Sequence, residues 1–121
     1  MPDISFPVEV IEGVPVVTAP EEIDIANATR LKAALLEAAL LETAHTETAE
    51  PGRALLVVDM SRTRFCDSAG LNALVGAARQ ARAEGGEVRL VITGEAVTRI
   101  VELTGVDRVI PIYASLEDAV S

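Results

Sequence analysis

The spacing of apolar residues along this chain changes in a way that separates strands from helices. Residues 8–12, Val-Glu-Val-Ile-Glu, alternate apolar and polar side chains. After Gly13 a second β-branched run covers 14–18, so the pair predicts a hairpin. Pro15 falls near the start of the second strand, where a missing N–H is best tolerated. Residues 19–24 read as a polar connection. A helix is expected to begin between Ile25 and Ala28, with Asp24 and Asn27 as rival N-caps. Leu31, Ala34, Leu35, Ala38 and Leu41 then recur at spacings of three or four and define one buried face. Residues 43–52 have no period and end in Pro51-Gly52, which reads as an exposed loop.

Residues 54–59, Ala-Leu-Leu-Val-Val-Asp, form a continuous apolar run, as expected of a central strand covered on both faces. Residues 59–64 make the loop at its carboxyl end, the edge where open α/β sheets meet ligands and partners. A helix follows from Asp67, with Leu71, Leu74, Val75 and Ala78 inward, Arg79 and Arg82 complementing its dipole, and Gly85-Gly86 as the stop. Residues 87–93 predict a strand with Val88, Leu90 and Ile92 on one face. Residues 95–104 predict a helix with Val97, Ile100, Val101 and Thr104 inward and Gly105 as its stop. A last strand over 109–113 is placed at an edge by Pro111, and Ser115 caps a short final helix. The order ββαβαβαβα predicts a single-domain α/β fold over 1–121. Its mixed sheet has an opening hairpin and a parallel centre, with about four helices packed on it.

Composition narrows the function. The 121 residues are 50% hydrophobic but only 2% aromatic, which implies an aliphatic core and argues against a base-stacking surface. Nineteen acidic residues against ten basic give a net charge of -9, which disfavours direct contact with nucleic acid and suits docking on a basic patch of another protein. The lone cysteine, Cys66, excludes an internal disulfide and a multi-cysteine zinc site. The N-terminus lacks the basic and long apolar regions of a secretory signal. No apolar run approaches the roughly 18 residues of a transmembrane segment. A soluble cytoplasmic protein is the expectation.

The candidate chemistry lies in Phe65-Cys66-Asp67-Ser68-Ala69-Gly70-Leu71. A helix start leaves backbone N–H groups without intrahelical partners at the positive end of the dipole, so an anion is favoured there and Ser68 becomes a candidate phosphate carrier. The plainer reading is that Asp67 caps the helix while Ser68 and Ala69 fill its first turn. A nucleophilic role for Cys66 or Ser68 needs a neighbouring base, and the sole histidine, His45, lies in the distant loop. No enzymatic activity is expected.

Val58-Asp59-Met60-Ser61, followed by Phe65-Cys66-Asp67-Ser68-Ala69-Gly70-Leu71 and Leu74, resembles the signature of STAS domains, specifically the bacterial anti-sigma factor antagonists. The resemblance extends over the opening hairpin, Glu22-Ile23-Asp24, Gly85-Gly86 and Leu103-Thr104-Gly105-Val106. It implies a protein that binds an anti-sigma factor which is also a serine kinase, releases the sigma factor, and is switched off by phosphorylation. The serine that follows Asp in the family's Asp-Ser-x-Gly element matches Ser68, and a serine phosphatase restores it. The implied partner-binding set is Asp24, Asp59, Ser61, Arg62, Asp67, Ser68, Ala69 and Gly70. ATP is held by the kinase, and the chain itself needs no cofactor or metal.

Arg62 stands where the family often has Gly, Cys66 where an aliphatic residue is usual, and Ala69 where a second serine is frequent. Asp67 is either a cap or an acceptor that orients the Ser68 hydroxyl. Gly70 admits either another backbone or the sheet, Ser61 is a turn residue or a second phosphoacceptor, and Arg62 or Arg64 would assist a phosphate. An alternative implied by the same resemblance is an accessory subunit of a membrane transport complex.

Overall fold

A computed structural model describes residues 6–45 and 55–121, with the side chains of 40–45 excepted. Strand β1 (Val8–Ile11) pairs antiparallel with β2 (Val14–Thr18). The two-residue turn between them has positive φ at both Glu12 (52°) and Gly13 (80°), the combination whose twist matches that of the paired strands. β3 (Glu22–Ile23) precedes helix α1 (Ala28–His45), and β4 (Leu55–Asp59) follows. β5 (Phe65–Cys66) leads into α2 (Ser68–Ala83), then β6 (Glu87–Val91), α3 (Glu95–Thr104), a 3-10 turn (Val106–Arg108), β7 (Ile112–Tyr113) and α4 (Leu116–Val120).

The main sheet runs β1-β2-β4-β6-β7, parallel throughout except for β1. β4 pairs with β2 on one side and β6 on the other, and its side chains alternate between two apolar clusters. Leu56 and Val58 join Leu31, Leu35, Leu74 and Val97 beneath α1, α2 and α3. Val57 joins Val16, Val91 and Val120 on the opposite face, which α4 covers. An uninterrupted apolar strand is therefore what this position demands.

Several boundaries differ from the sequence reading. α1 continues past Leu41 to His45, because no helix breaker occurs before Pro51; the remainder of the expected 43–52 loop lies outside the described residues. The polar connection at 19–24 contains β3, which forms a separate two-stranded parallel ladder with β5, Glu22 opposite Phe65 and Ile23 opposite Cys66. The expected last strand shrinks to Ile112–Tyr113, since the chain leaves the 3-10 turn with Val109 still in a helical conformation and Pro111 has no N–H to donate. The Pro111 carbonyl nevertheless accepts from Leu90 N–H (3.0 Å), and β7 is an edge strand as expected. Thr104 is exposed rather than inward, its hydroxyl donating back to the Ile100 carbonyl at 2.7 Å.

Candidate functional site

Because β2, β4 and β6 run parallel, their carboxyl ends share one edge of the sheet, and the loops that follow them are tied together there. The Thr63 hydroxyl, buried with its residue, donates to the Pro20 carbonyl at 2.8 Å. Arg64 N–H donates to Glu21 (2.7 Å) and Asp67 N–H to Ile23 (3.0 Å). The Thr93 hydroxyl reaches the Ser61 carbonyl at 3.2 Å. The β3–β5 ladder and these four bonds fix the segment that delivers Asp67 to the start of α2.

Asp67 has extended backbone angles and caps α2: its Oδ1 accepts from Gly70 N–H at 2.9 Å. Its Oδ2 accepts from Ile25 N–H at 3.2 Å, so one carboxylate joins the turn before α1 to the start of α2. With both oxygens engaged by backbone, the carboxylate makes no bond to the Ser68 hydroxyl. Ser68 is exposed in the first turn, and among the described residues neither its hydroxyl nor the N–H groups of Ser68 and Ala69 has a hydrogen-bond acceptor.

Gly70 is buried against the ladder. A Cβ there would stand 2.6 Å from Ile23 Cγ2, 2.8 Å from Cys66 Sγ and 3.1 Å from the Ile23 carbonyl oxygen. Of the two roles left open for this glycine, close internal packing is the one its surroundings require. Cys66 is enclosed in the same contact. Burial, and secondarily the charge of Asp67, pushes its thiol from 9.0 up to about 12, so it is protonated and poorly suited to nucleophilic chemistry at neutral pH.

The other residues of the expected set lie around this centre. Asp24 is half-buried; its Oδ1 accepts from Ala26 N–H (2.9 Å), while its own N–H donates to Asn27 Oδ1 (3.0 Å), so the rival caps share one turn ahead of α1. Asp59 Oδ1 accepts from Ser61 N–H at 3.0 Å, an Asx turn that closes β4 and leaves Ser61 exposed. Arg62 and Arg64 are exposed, and neither guanidinium bonds to Asp67 or Ser68. Ala69 is half-buried beside Ser68. Ile25, 81% exposed, and Phe65, 48% exposed, add large apolar side chains to this edge. Thr63 and Ile25 were not singled out from the sequence; an isolated threonine or isoleucine carries no spacing signal that would reveal them.

The STAS domain model matches residues 5–119. The chain belongs to the STAS domain family. An anti-sigma factor antagonist from Mycobacterium paratuberculosis is 33% identical, with 96% of this chain and 90% of that one covered and a TM-score of 0.73, which places this STAS domain with the anti-sigma factor antagonists. The TM1081 homolog of Thermotoga neapolitana, named as a candidate anti-sigma factor antagonist, is 25% identical over 114 residues, covering 94% of this chain and 93% of its own. The Bacillus cell fate determinant SpoIIAA, solved in its phosphorylated form, shares the fold at 20% identity and a TM-score of 0.64, with 96% of each chain covered. Among the described residues of this STAS domain, no helix is long and apolar enough to cross a membrane.

Proposed function

We propose that this STAS domain is a phosphorylation-switched antagonist. It binds an anti-sigma factor that is also a serine kinase, so that a sigma factor is released, and it lets go once that kinase, using ATP, has phosphorylated Ser68. A serine phosphatase returns it to the binding form. The observation that carries the reading is the exposed, unbonded Ser68 hydroxyl in the first turn of α2, on the sheet edge where three loops are tied together. The relatives named as anti-sigma factor antagonists, and the phosphorylated form of a protein of the same fold, support it.

The switch is local in this account. A phosphate adds about -1.5 to -2 charges and three acceptor oxygens. The fold accommodates it, because the two unbonded N–H groups and the positive helix end favour an anion. A complex that covers the start of α2 does not, because the phosphate must lose its water beside the Asp67 carboxylate, and an unpaired buried charge costs several kcal/mol. At about 1.4 kcal/mol per tenfold, a loss of about a hundredfold or more in affinity follows without refolding. Asp67 acts by holding the helix start and the Ile25 turn in register with Ser68. Asp24, Asp59, Ser61, Arg62 and Ala69 shape the surface around it, and Gly70 lets α2 pack closely beneath it.

The test is phosphorylation by the purified cognate kinase with ATP, followed by mass-spectrometric mapping. Phosphate on Ser68 is expected, with Ser68→Ala unmodified and constitutively bound and Ser68→Asp weakly bound. Phosphate on another residue, such as Ser61, with Ser68 untouched would overturn the reading.

A further inference from the structure

Two grooves flank the first turns of α2, and Asn72 lines both, so Ser68, Ala69 and Asn72 form a ridge between them. One groove, of about 300 Å³, has apolar walls from Leu71, Val75, Val106 and Val109. The other, of about 400 Å³, opens toward α1 between Ile25, Ala28 and Ala73. Among the described residues each groove is lined by a single charged side chain, and both are cationic: Arg79 in the first and Lys32 in the second. On a chain of net charge -9, the charges that line these two grooves have the opposite sign to the whole.

Among the described residues neither cation has an internal partner. Arg82 donates to the Val109 carbonyl and Arg89 pairs with Glu87, but Lys32 and Arg79 make no hydrogen bond or ion pair among the described residues. Lys32 is half-buried and lies across Gly76, where a Cβ would stand 2.9 Å from its Nζ. An ammonium held partly out of water without a counter-charge gains from one supplied at an interface. Nor is the site of phosphorylation that counter-charge for Arg79. The arginine lies eleven residues along α2 from Ser68, about 16 Å along the axis at about 1.5 Å per residue.

We infer that the partner kinase docks astride this ridge, placing apolar side chains in the two grooves and one carboxylate on each of Lys32 and Arg79. The inference rests on the proposed function and adds the chemistry of the surface that the kinase presents. It adds to the expectation drawn from net charge, since the complement of these two grooves is acidic.

The experiment measures the affinity of the purified kinase for the unphosphorylated chain and for Lys32→Gln, Arg79→Gln, the double variant and Arg99→Gln, at low and moderate salt. Arg99 is exposed and lines neither groove. Each single groove variant is expected to bind about tenfold more weakly, the double variant about a hundredfold, with a reduced salt dependence, while Arg99→Gln binds normally. Thermal melts equal to that of the parent exclude misfolding of the variants as the cause. Unchanged affinity in the double variant, with Ser68 still phosphorylated, would overturn the docking chemistry and leave the proposed function standing. A kinase that binds no form of the chain would overturn both.

Discussion

Gly70 is required by its neighbours and not by its own backbone angles, which are helical. Alanine there would gain up to about 1 kcal/mol in helix propensity. It would also force its Cβ to within 2.6 Å of Ile23 Cγ2 unless the ladder shifts. Overpacking of this kind costs about 1–3 kcal/mol, so Gly70→Ala is expected to lower stability in urea by a net of up to about 2 kcal/mol. Asp67→Ala removes an acceptor from two backbone N–H groups and is expected to cost about 1–2 kcal/mol, with faster amide exchange at Gly70 and Ile25 as its signature. The cap was legible in the sequence because Asp before an Ala-rich helix has few other uses. Its second bond was not, because Ile25 lies 42 positions away and only the folded chain brings it near. Cys66 has a pH signature. Its thiol titrates near 9.0 when unfolded and near about 12 when folded, so its contribution is intact below pH 9 and is lost as pH rises from 9 toward 12, where the unfolded state alone ionises. A fall in unfolding free energy over that window, absent in Cys66→Ala, is expected, together with slow alkylation of the native thiol at pH 8.

At the scale of elements, long periodic segments were legible and short ones were not. β4 could be read as central because five consecutive residues, 54–58, carry the apolar signal, and α2 because its inner stripe from Leu71 to Ala78 spans about two turns. The β3–β5 ladder has two residues per strand, too few for any alternation to register, and its buried members Ile23 and Cys66 sit in otherwise polar or mixed surroundings. Yet that ladder sets the position of Ser68, so the part of the fold closest to the candidate site was the least visible. The first hairpin offers a test of local strain. Glu12 holds φ at 52°, a conformation that Asn adopts more readily, so Glu12→Asn is expected to raise stability by about 0.5–1 kcal/mol in thermal or urea unfolding without altering partner affinity.

At the scale of the molecule, the sheet order and the alternation of helices determine which loops meet, and they bring the ends of β2, β4 and β6 to one edge. The mixed sheet with a parallel centre followed from the order of apolar segments. Which residues would stand exposed at that edge did not, because exposure depends on loops whose composition alone is uninformative. Net charge was legible but does not describe every local surface: a total of -9 coexists with two grooves beside Ser68 whose lining charges are cationic. The account therefore rests on one switchable position within a surface of fixed shape, and the direct test compares two forms of the same chain. Titration of the purified kinase with unphosphorylated chain, and with chain stoichiometrically phosphorylated on Ser68, is expected to give affinities that differ by about a hundredfold or more, with unchanged circular dichroism. Equal affinities for the two forms would contradict it.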